Sequence, residues 1–431
     1  MYVRRLRLDN VRCFRSLDIS FEQNGEPRRW TILAGPNGTG KTTLLRAIAA
    51  SWGDAHSDKG RGSQLPPVSW VRNGADSAQV VADFEFRSSE SAPGAPRRAE
   101  HHIPARDAQP TSSTLPSGAS SRGSLIVGIG PTRIGSPPFV EPGFTRQSQG
   151  EDAAHRGSLA ALYGWPVDRL DRLYAWIRWE DFVRLKNEKA EAHRPSVLTA
   201  LAAALETLFD GAARFREVDT RGQILFDTDD GPVSLEDLAD GLRSTFVIVA
   251  ELLLRLDVAF PSSPNPTQEE AICLVDELDA HLHPRLQRTV VPALRKLFPN
   301  VQFIVTTHSP YVVGSALAGE VVVLSRRAGA VVAQTEGVPD VSGWTADAIA
   351  TSPIFGLDTT RDLRGEHALD VERKLLAKPE LSADERRALG DARTLLDRAD
   401  GPVTTMVREL LVAPRKVAAP KAPRKRSRSA G

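Results

Sequence analysis

Apolar and polar residues alternate through MYVRRLRLDNVRCF, the period of a half-buried strand, and the pattern predicts strands over residues 2–8 and 17–21. WTILAG (30–35) is a third strand that ends in a glycine-rich loop, after which TLLRAIAASW (43–52) takes helical spacing. AQVVADFEF (78–86) and SLIVGIG (124–130) read as further strands. Residues 167–190 carry Leu170, Leu173, Tyr174, Ile177 and Phe182 as one helical stripe, and a second helix over 196–209 ends at Asp210-Gly211. RFREVDTRGQILFDTDDGPVSL (214–235) reads as two short strands with turn signals at Thr220-Arg221-Gly222 and Asp229-Asp230-Gly231. AICLVDE (271–277) and VQFIVTTHS (301–309) are continuous apolar runs with polar residues only at their C-terminal ends, and a helix over 284–297 separates them. Strand, helix, strand with both faces of the strands buried marks a parallel sheet. EVVVLSRRAGAVVAQTEG (320–337) is a hairpin, and the chain beyond it is helical until its tail.

Composition changes this picture in three places. From Ser88 to Gly123 the chain is dominated by Ser, Pro, Gly, Ala and Arg; so little apolar surface predicts a mobile insertion, and 131–158 is again rich in Pro and Gly. The tail PRKVAAPKAPRKRSRSAG (414–431) has seven basic residues and no apolar period. FVIVAELLLRLDVAF (246–260) is the longest apolar run, and Glu251, Arg255 and Asp257 within it make it a core helix and not a membrane span. The N-terminal alternation argues against a signal peptide. With 431 residues and 41% apolar content, the chain can bury one large domain or two intimately joined lobes. Expected divisions are 1–87, 88–158, 159–213, 214–345, 346–412 and 413–431. A net charge of +1 leaves no surface-wide field, so any nucleic-acid affinity must be local. The two cysteines, Cys13 and Cys273, sit in apolar runs as expected of a reducing cytosol, without disulfide or metal spacing.

The chemistry starts at GPNGTGKTT (35–43), which lies between a strand and a helix and fits G-x-x-x-x-G-K-[ST]. Glycines let backbone N–H groups turn inward on phosphates, and the helix N-terminus adds its dipole. Gly35, Pro36, Asn37, Gly38, Thr39 and Gly40 thus form a phosphate cradle. Lys41 is placed to reach the β/γ-phosphates, Thr42 to coordinate Mg2+ and Thr43 to touch an α-phosphate. Lys41 is the first lysine, after seven arginines; a compact ammonium fits where a planar guanidinium would not. Asp276 ends the run ICLVDE, where a carboxylate can hold Mg2+ through water. Glu277 points differently and can accept a proton from an attacking water. FIVTTHSP puts His308 at the end of another buried strand, where an imidazole can contact a γ-phosphate and orient water. Taken singly, these are also compatible with a chance turn, solvated carboxylates and a structural histidine. Three of them in this order, each at the C-terminal edge of a strand, favour a nucleoside-triphosphatase site.

LVDELDAHLHP (274–284), TTHSP (306–310) and LDNVRCFRSLDISF (8–21) resemble the ABC-class ATPases of the RecF/SMC/overcoming-lysogenization-defect group. LADGLRS (238–244) occupies the place of that family's L-S-D/G-G-x-R/Q signature. The likeness covers residues 1–52 and 214–335. SLIVGIGPTRIG, which carries Arg133, and TADAIATSPIFGLDTTRD (345–362) look like the short stand-alone ATPases of Septu-type and retron-associated phage-defence operons. The resemblance implies an α/β P-loop fold: an ABC-ATPase head with a mixed sheet, an antiparallel β lobe and a helical lobe. It also implies ATP and Mg2+, hydrolysis to ADP and phosphate, and a head-to-tail dimer with two nucleotides at its interface. In that arrangement Asp240 and Gly241 open a helix (242–256) whose N-terminus faces a γ-phosphate of the other subunit, and Arg243 adds charge. Asp279 matches the family's cross-interface loop, and Arg12 matches an arginine near the nucleotide. Ala239 stands where the family has serine, with Ser244 a candidate replacement. The plainer reading of LADGLRS is a turn beside a capping box of Ser234 and Asp237. The family's magnesium-sensing glutamine has no clear match, and Gln79 reads as a strand residue.

His281 and His283 have the spacing of a metal pair without a third ligand, and Pro284 beside them favours a helix start. Trp165, Trp176 and Trp179 with Tyr174 have helical spacing, which favours packing over base stacking. The expected function is an ATP-driven dimeric sensor or regulatory subunit of a cytoplasmic anti-phage system, with a separate effector such as a nuclease. The alternative is a RecF/SMC-like DNA-repair ATPase, against which the lack of long heptad arms counts. A transporter motor is disfavoured by the altered signature. A nuclease within the chain is disfavoured because Glu366, Asp370 and Glu372 lie in amphipathic helix text. The tail serves either a weak nucleic-acid contact or solubility, and a salt titration of DNA affinity with and without 414–431 separates the two. A reduced salt slope on truncation assigns DNA contacts to the tail; identical weak binding confines it to solubility.

Overall fold

The computed structural model describes residues 1–53, 70–87, 96–104, 112–114, 125–131, 159, 162, 169–187 and 197–399. Along the chain come β1 (Tyr2–Val11), β2 (Phe14–Ser20), β3 (Glu22–Gln23), β4 (Glu26–Pro27), β5 (Trp30–Ala34) and α1 (Lys41–Gly53). Four strands follow: β6 (Ser77–Glu85), β7 (Pro96–Pro104), β8 (Ser112–Thr114) and β9 (Ile126–Ile129). Then come α2 (Arg169–Asn187), α3 (Val197–Phe209), β10 (Arg214–Val218), β11 (Ile224–Thr228), β12 (Gly231–Ser234) and α4 (Asp240–Ala259). The rest is β13 (Ala271–Val275), α5 (Pro284–Leu297), β14 (Val301–Thr306), α6 (Pro310–Val313), β15 (Val321–Arg327), β16 (Ala330–Gln334), α7 (Ala346–Ala350), α8 (Leu363–Leu376) and α9 (Ala383–Ala399).

The central sheet has the order β16-β15-β5-β14-β13-β9, parallel throughout except for β16. Its strands obey the period-2 rule with both faces apolar. Leu33, Ile272, Leu274 and Ile304 face one core, which also holds Leu44, Leu45 and Ile48 of α1 and the apolar side of β1 and β2. Ile32, Cys273, Val275, Phe303 and Val305 face the other, packed with α2, α3, α4 and α5. The second sheet, β2-β1-β6-β7-β8, is antiparallel, and a third, β10-β11-β12, makes a three-stranded meander where two strands are expected. Gln302, fully buried in β14, joins the sheets. Its Oε1 accepts from Val3 N–H at 2.7 Å, and its Nε2 donates to the carbonyls of Val3 and Arg28, each at 3.0 Å. A polar group that deep is tolerated only when so paired.

The expectation that 88–123 lacks ordered strands is corrected over 96–104 and 112–114. β7 pairs along the whole of β6, and β8 pairs with β7. Ala99, His101 and Ile103 alternate inward, enough to cover one face of a strand that composition alone reads as polar. The rest of 88–123, most of 131–158, Arg133, Trp165 and the tail lie outside the described residues. In α2, Leu173, Tyr174 and Ile177 are buried as the stripe predicts, whereas Phe182 is 47% exposed. Trp176 is core, which supports the packing reading.

Pro292 sits inside α5, where its ring removes the amide that would bond Arg288. The Ser315 hydroxyl takes that place, donating to the Arg288 carbonyl at 3.2 Å. The structure divides between Leu357 and Asp358, so α7 belongs with the larger unit and not with the C-terminal extension expected from residue 346. In the second unit α8 and α9 pack through Ala368, Ala392 and Leu396, and Arg393 pairs with Glu372 at 3.0 Å. Among the described residues no helix is long and apolar enough to cross a membrane.

Trp30 is 1% exposed and stacks on Phe303 across β5 and β14, with ring centroids 4.4 Å apart. Trp30→Ala is expected to lower stability by about 3–5 kcal/mol, read from the urea midpoint at unchanged m-value.

Candidate functional site: a cleft at the C-terminal edge of the central sheet

β5 ends at Ala34, and the loop 35–40 delivers the chain into α1. Gly40 has φ +87°, and a Cβ there would lie 2.4 Å from Cys13 Sγ and 2.6 Å from the Phe14 ring. The close approach demands glycine. Arg12, next to Cys13, is exposed, at φ +48°, and lines an open hollow of about 350 Å³ with Val71, Arg72 and Asn73. Thr39 Oγ1 donates to the Pro36 carbonyl at 2.8 Å, and Arg326 of β15 braces the Gly38 carbonyl at 3.1 Å. Lys41 Nζ donates to the Gly35 and Pro36 carbonyls at 2.8 and 3.1 Å. Burial holds the Lys41 ammonium below its ordinary pKa, opposed by the charges of Asp276, Asp279 and Glu277.

Asp276 follows β13 directly and is 3% exposed. Thr42 Oγ1 donates to its two carboxylate oxygens at 3.0 and 2.9 Å, and Thr306 Oγ1 donates to Oδ1 at 2.7 Å. The same Thr306 hydroxyl oxygen accepts from Glu277 N–H at 2.7 Å. Glu277 takes a left-handed backbone, φ +50°, which turns its side chain away from the direction of Asp276 and leaves it exposed. Asp279 Oδ1 accepts from Thr307 Oγ1 at 2.5 Å and from His308 N–H at 3.1 Å. His308 stands at the exposed rim. Desolvation by the surrounding protein and the charge of Lys41 hold its imidazole below the ordinary value, against the pull of Asp279, Glu277 and Asp276. Lys41, Thr42, Asp276, Glu277, Asp279 and His308 therefore share one cleft.

The first turn of α4 packs elsewhere on the same loop. A Cβ on Gly241 would lie 2.8 Å from the His281 carbonyl, and Arg243 lies 3.7 Å from Asp240. Ala239 and Asp240 are exposed. The expectation that Ser244 replaces a signature serine is corrected: it is fully buried, its hydroxyl donating to the Ala280 carbonyl at 3.3 Å. Nor do Ser234 and Asp237 form a capping box. Ser234 makes no side-chain cap, and its hydroxyl donates to the Asp237 carboxylate at 2.7 Å. His283 caps α5 through Nδ1, accepting from Arg285 N–H at 3.3 Å, a structural role; no cluster of three metal-binding side chains occurs among the described residues. Gln79 is a strand residue bonded to Glu100. Thr306, Thr307 and Arg326 are the residues that motif reading overlooks. The polar end of the apolar run VQFIVTT is the one signal that could have found the threonines.

Residues 143–314 match the family described as "AAA domain, putative AbiEii toxin, Type IV TA system", and residues 5–103 match one described as "AAA domain". Residues 5–103 and 143–314 thus each resemble an AAA domain. It is 23% identical over 425 residues to the "Septu protein PtuA" of Bacillus mycoides (strain KBAB4), covering 94% of this chain and 52% of the relative. It is 40% identical over 89 residues to the "Retron Ec83 probable ATPase" of Escherichia coli, covering 21% of this chain and 16% of the relative. The chain spans about half the length of the first of these relatives and less of the second. Among solved structures, the "SMC head domain from Thermotoga maritima" overlaps with a TM-score of 0.43 at 18% identity, covering 78% of this chain and 100% of that one.

Removing the Lys41 ammonium deletes one cause that lowers the His308 pKa and leaves the three carboxylates that raise it. In Lys41→Ala the His308 Cε1–H NMR titration is expected to move to higher pH. No shift, or a shift downward, overturns the placement of the ammonium beside the ring.

Proposed function

We propose that this chain binds ATP with Mg2+ in the cleft and hydrolyses it to ADP and phosphate, as a regulatory subunit of an anti-phage defence system. The observation that carries the reading is the Thr42–Asp276–Thr306 cluster. A hydroxyl from the phosphate loop and a carboxylate from the acidic strand meet within 3.0 Å, a hard-oxygen pair suited to Mg2+. Thr42 and Asp276 would hold the ion, which supplies neutralisation of charge on the β/γ-oxygens.

The rest belongs to the chain. Backbone N–H groups of Asn37, Gly38, Thr39 and Gly40 with the N-terminus of α1 grip the phosphates, Gly35 and Pro36 shape the turn that presents them, and Thr43 reaches toward the α-phosphate. Lys41, already partly desolvated, gains its counter-charge there, since an anion favours the ammonium. Glu277, turned outward from Asp276, takes the proton from the attacking water. His308, whose pKa burial and the Lys41 charge hold below the ordinary value, donates a hydrogen bond toward the γ-phosphate and orients that water. Arg12, next to the Cys13 that packs on Gly40, would be the arginine that meets the nucleotide.

Two copies pair head to tail in this proposal, so that Asp240, Gly241, Arg243 and Asp279 of one face the nucleotide of the other. Support comes from the exposure of Ala239 and Asp240 at the start of a 20-residue helix, whose N-terminal partial charge suits a phosphate. Nucleotide-driven closure then controls a separate effector such as a nuclease. The names of the Septu and retron relatives support the defence role.

Lys41→Ala is expected to weaken nucleotide binding. Glu277→Gln should keep it while slowing turnover about 1000-fold, equivalent to about 4 kcal/mol of transition-state stabilisation. Light scattering on Glu277→Gln with ATP should show the mass double. Normal hydrolysis by Glu277→Gln removes the proton-acceptor assignment, and a monomer at saturating ATP removes the dimer.

A further inference from the structure

The mechanism leaves one well-made set of bonds unused. Gln287, on the first turn of α5, has Nε2 donating to the Leu282 carbonyl at 2.8 Å and Oε1 accepting from Ser309 Oγ at 2.6 Å. The orientation of this amide follows from chemistry alone. Ser309 Oγ accepts from Tyr311 N–H at 3.1 Å and from Val312 N–H at 3.4 Å as the cap of α6, so its proton points to an acceptor. Leu282 offers only a carbonyl, so the other end of the amide must be the donor. Only a side chain with both functions satisfies both loops at once.

The two loops so joined are those of the proposed reaction. Leu282 closes the segment that begins at Asp279, through Leu282 N–H to the Asp279 carbonyl at 3.1 Å. Ser309 follows His308 and bonds back to Thr307 Oγ1 at 3.0 Å. Asp279 makes a second bridge between the same loops through Thr307 and His308 N–H. Two bridges separated along the loop fix both position and angle, where one would leave a pivot. Ser315, donating to the Arg288 carbonyl, ties the next residue of α5 to the segment after α6.

We propose that Gln287 is a positioning residue: it holds His308 in register with the Asp279 loop, so that a displacement of that loop reaches the ring. The inference rests on the ATP-hydrolysis reading above. With the Asp279 loop facing a second copy, the same amide links subunit pairing to the orientation of His308. It touches neither nucleotide nor water.

The test uses the full chain. A misplacement of about 1 Å costs on the order of 100-fold in rate, so Gln287→Ala is expected to lose between about 10- and 100-fold in kcat. ATP affinity should change less than about threefold, because Lys41 and the loop are untouched. Gln287→Glu should do no better, since a carboxylate cannot donate to the Leu282 carbonyl. Ser309→Thr, which keeps the hydroxyl, should retain most activity. Two readouts separate positioning from general damage. Gln287→Ala combined with His308→Ala should be no slower than His308→Ala alone. Amide hydrogen exchange over 307–312 should quicken in Gln287→Ala without nucleotide, at an unchanged unfolding midpoint. Wild-type kcat in Gln287→Ala, losses that multiply with His308→Ala, or unchanged exchange overturns the proposal. If Glu277→Gln slows turnover normally while Gln287→Ala does not, the positioning role alone falls. If neither variant nor Lys41→Ala alters turnover, the hydrolysis reading falls and takes this one with it.

Discussion

The Asp276 carboxylate accepts hydroxyl protons from Thr42, 234 residues earlier, and from Thr306, 30 residues later. A carboxylate 3% exposed is tolerable only with such donors, since an isolated ion in a low-dielectric interior is strongly disfavoured. Meeting that need fixes much else. Thr306 must end the strand beside Asp276, so β13 and β14 run parallel and in register, Val275 opposite Val305. Thr42 must begin its helix above the same edge, which requires β5 on the far side of β14, Thr306 opposite Leu33. The order β5-β14-β13 is thus the scaffold that one polar group demands.

The remainder of the molecule steadies that edge. Both faces of the central sheet are covered by apolar side chains, one by α1 and the antiparallel sheet and the other by the helices α2 to α5. Rigid layers of this kind hold polar groups to tenths of an ångström where loops alone would not. Arg295 and Glu320 add a two-pronged ion pair, at 2.6 and 2.8 Å, between the end of α5 and the approach to β15. Glu320 is 6% exposed, which gives this pair more weight than a solvated surface bridge.

The parallel core and the cleft were legible in the sequence because their signals are local. A continuous apolar run with a polar end is a strand buried on both faces, and GPNGTGKTT is a loop whose chemistry needs consecutive residues. The strands β7 and β8 were hidden because their pairing energy comes from β6 and not from their own composition. Ser244 misled because a hydroxyl near a signature looks available until the helix is built and turns it inward. Thr306 and Gln287 carried no motif at all: each acts through a partner that only the tertiary structure supplies. His283 went the other way, a metal-like spacing that resolves into a helix cap.

The left-handed turn at Glu277 has an evolutionary corollary. An L-residue with a side chain at φ +50° gives up on the order of 1 kcal/mol relative to glycine, which adopts that conformation freely. Glycine here would therefore tend to make a sturdier protein, and it would delete the carboxylate. On the proposed hydrolysis reading, position 277 is where selection for robustness and selection for chemistry pull in opposite directions. A lineage that abandoned turnover and kept only nucleotide grip would be free to relax there first.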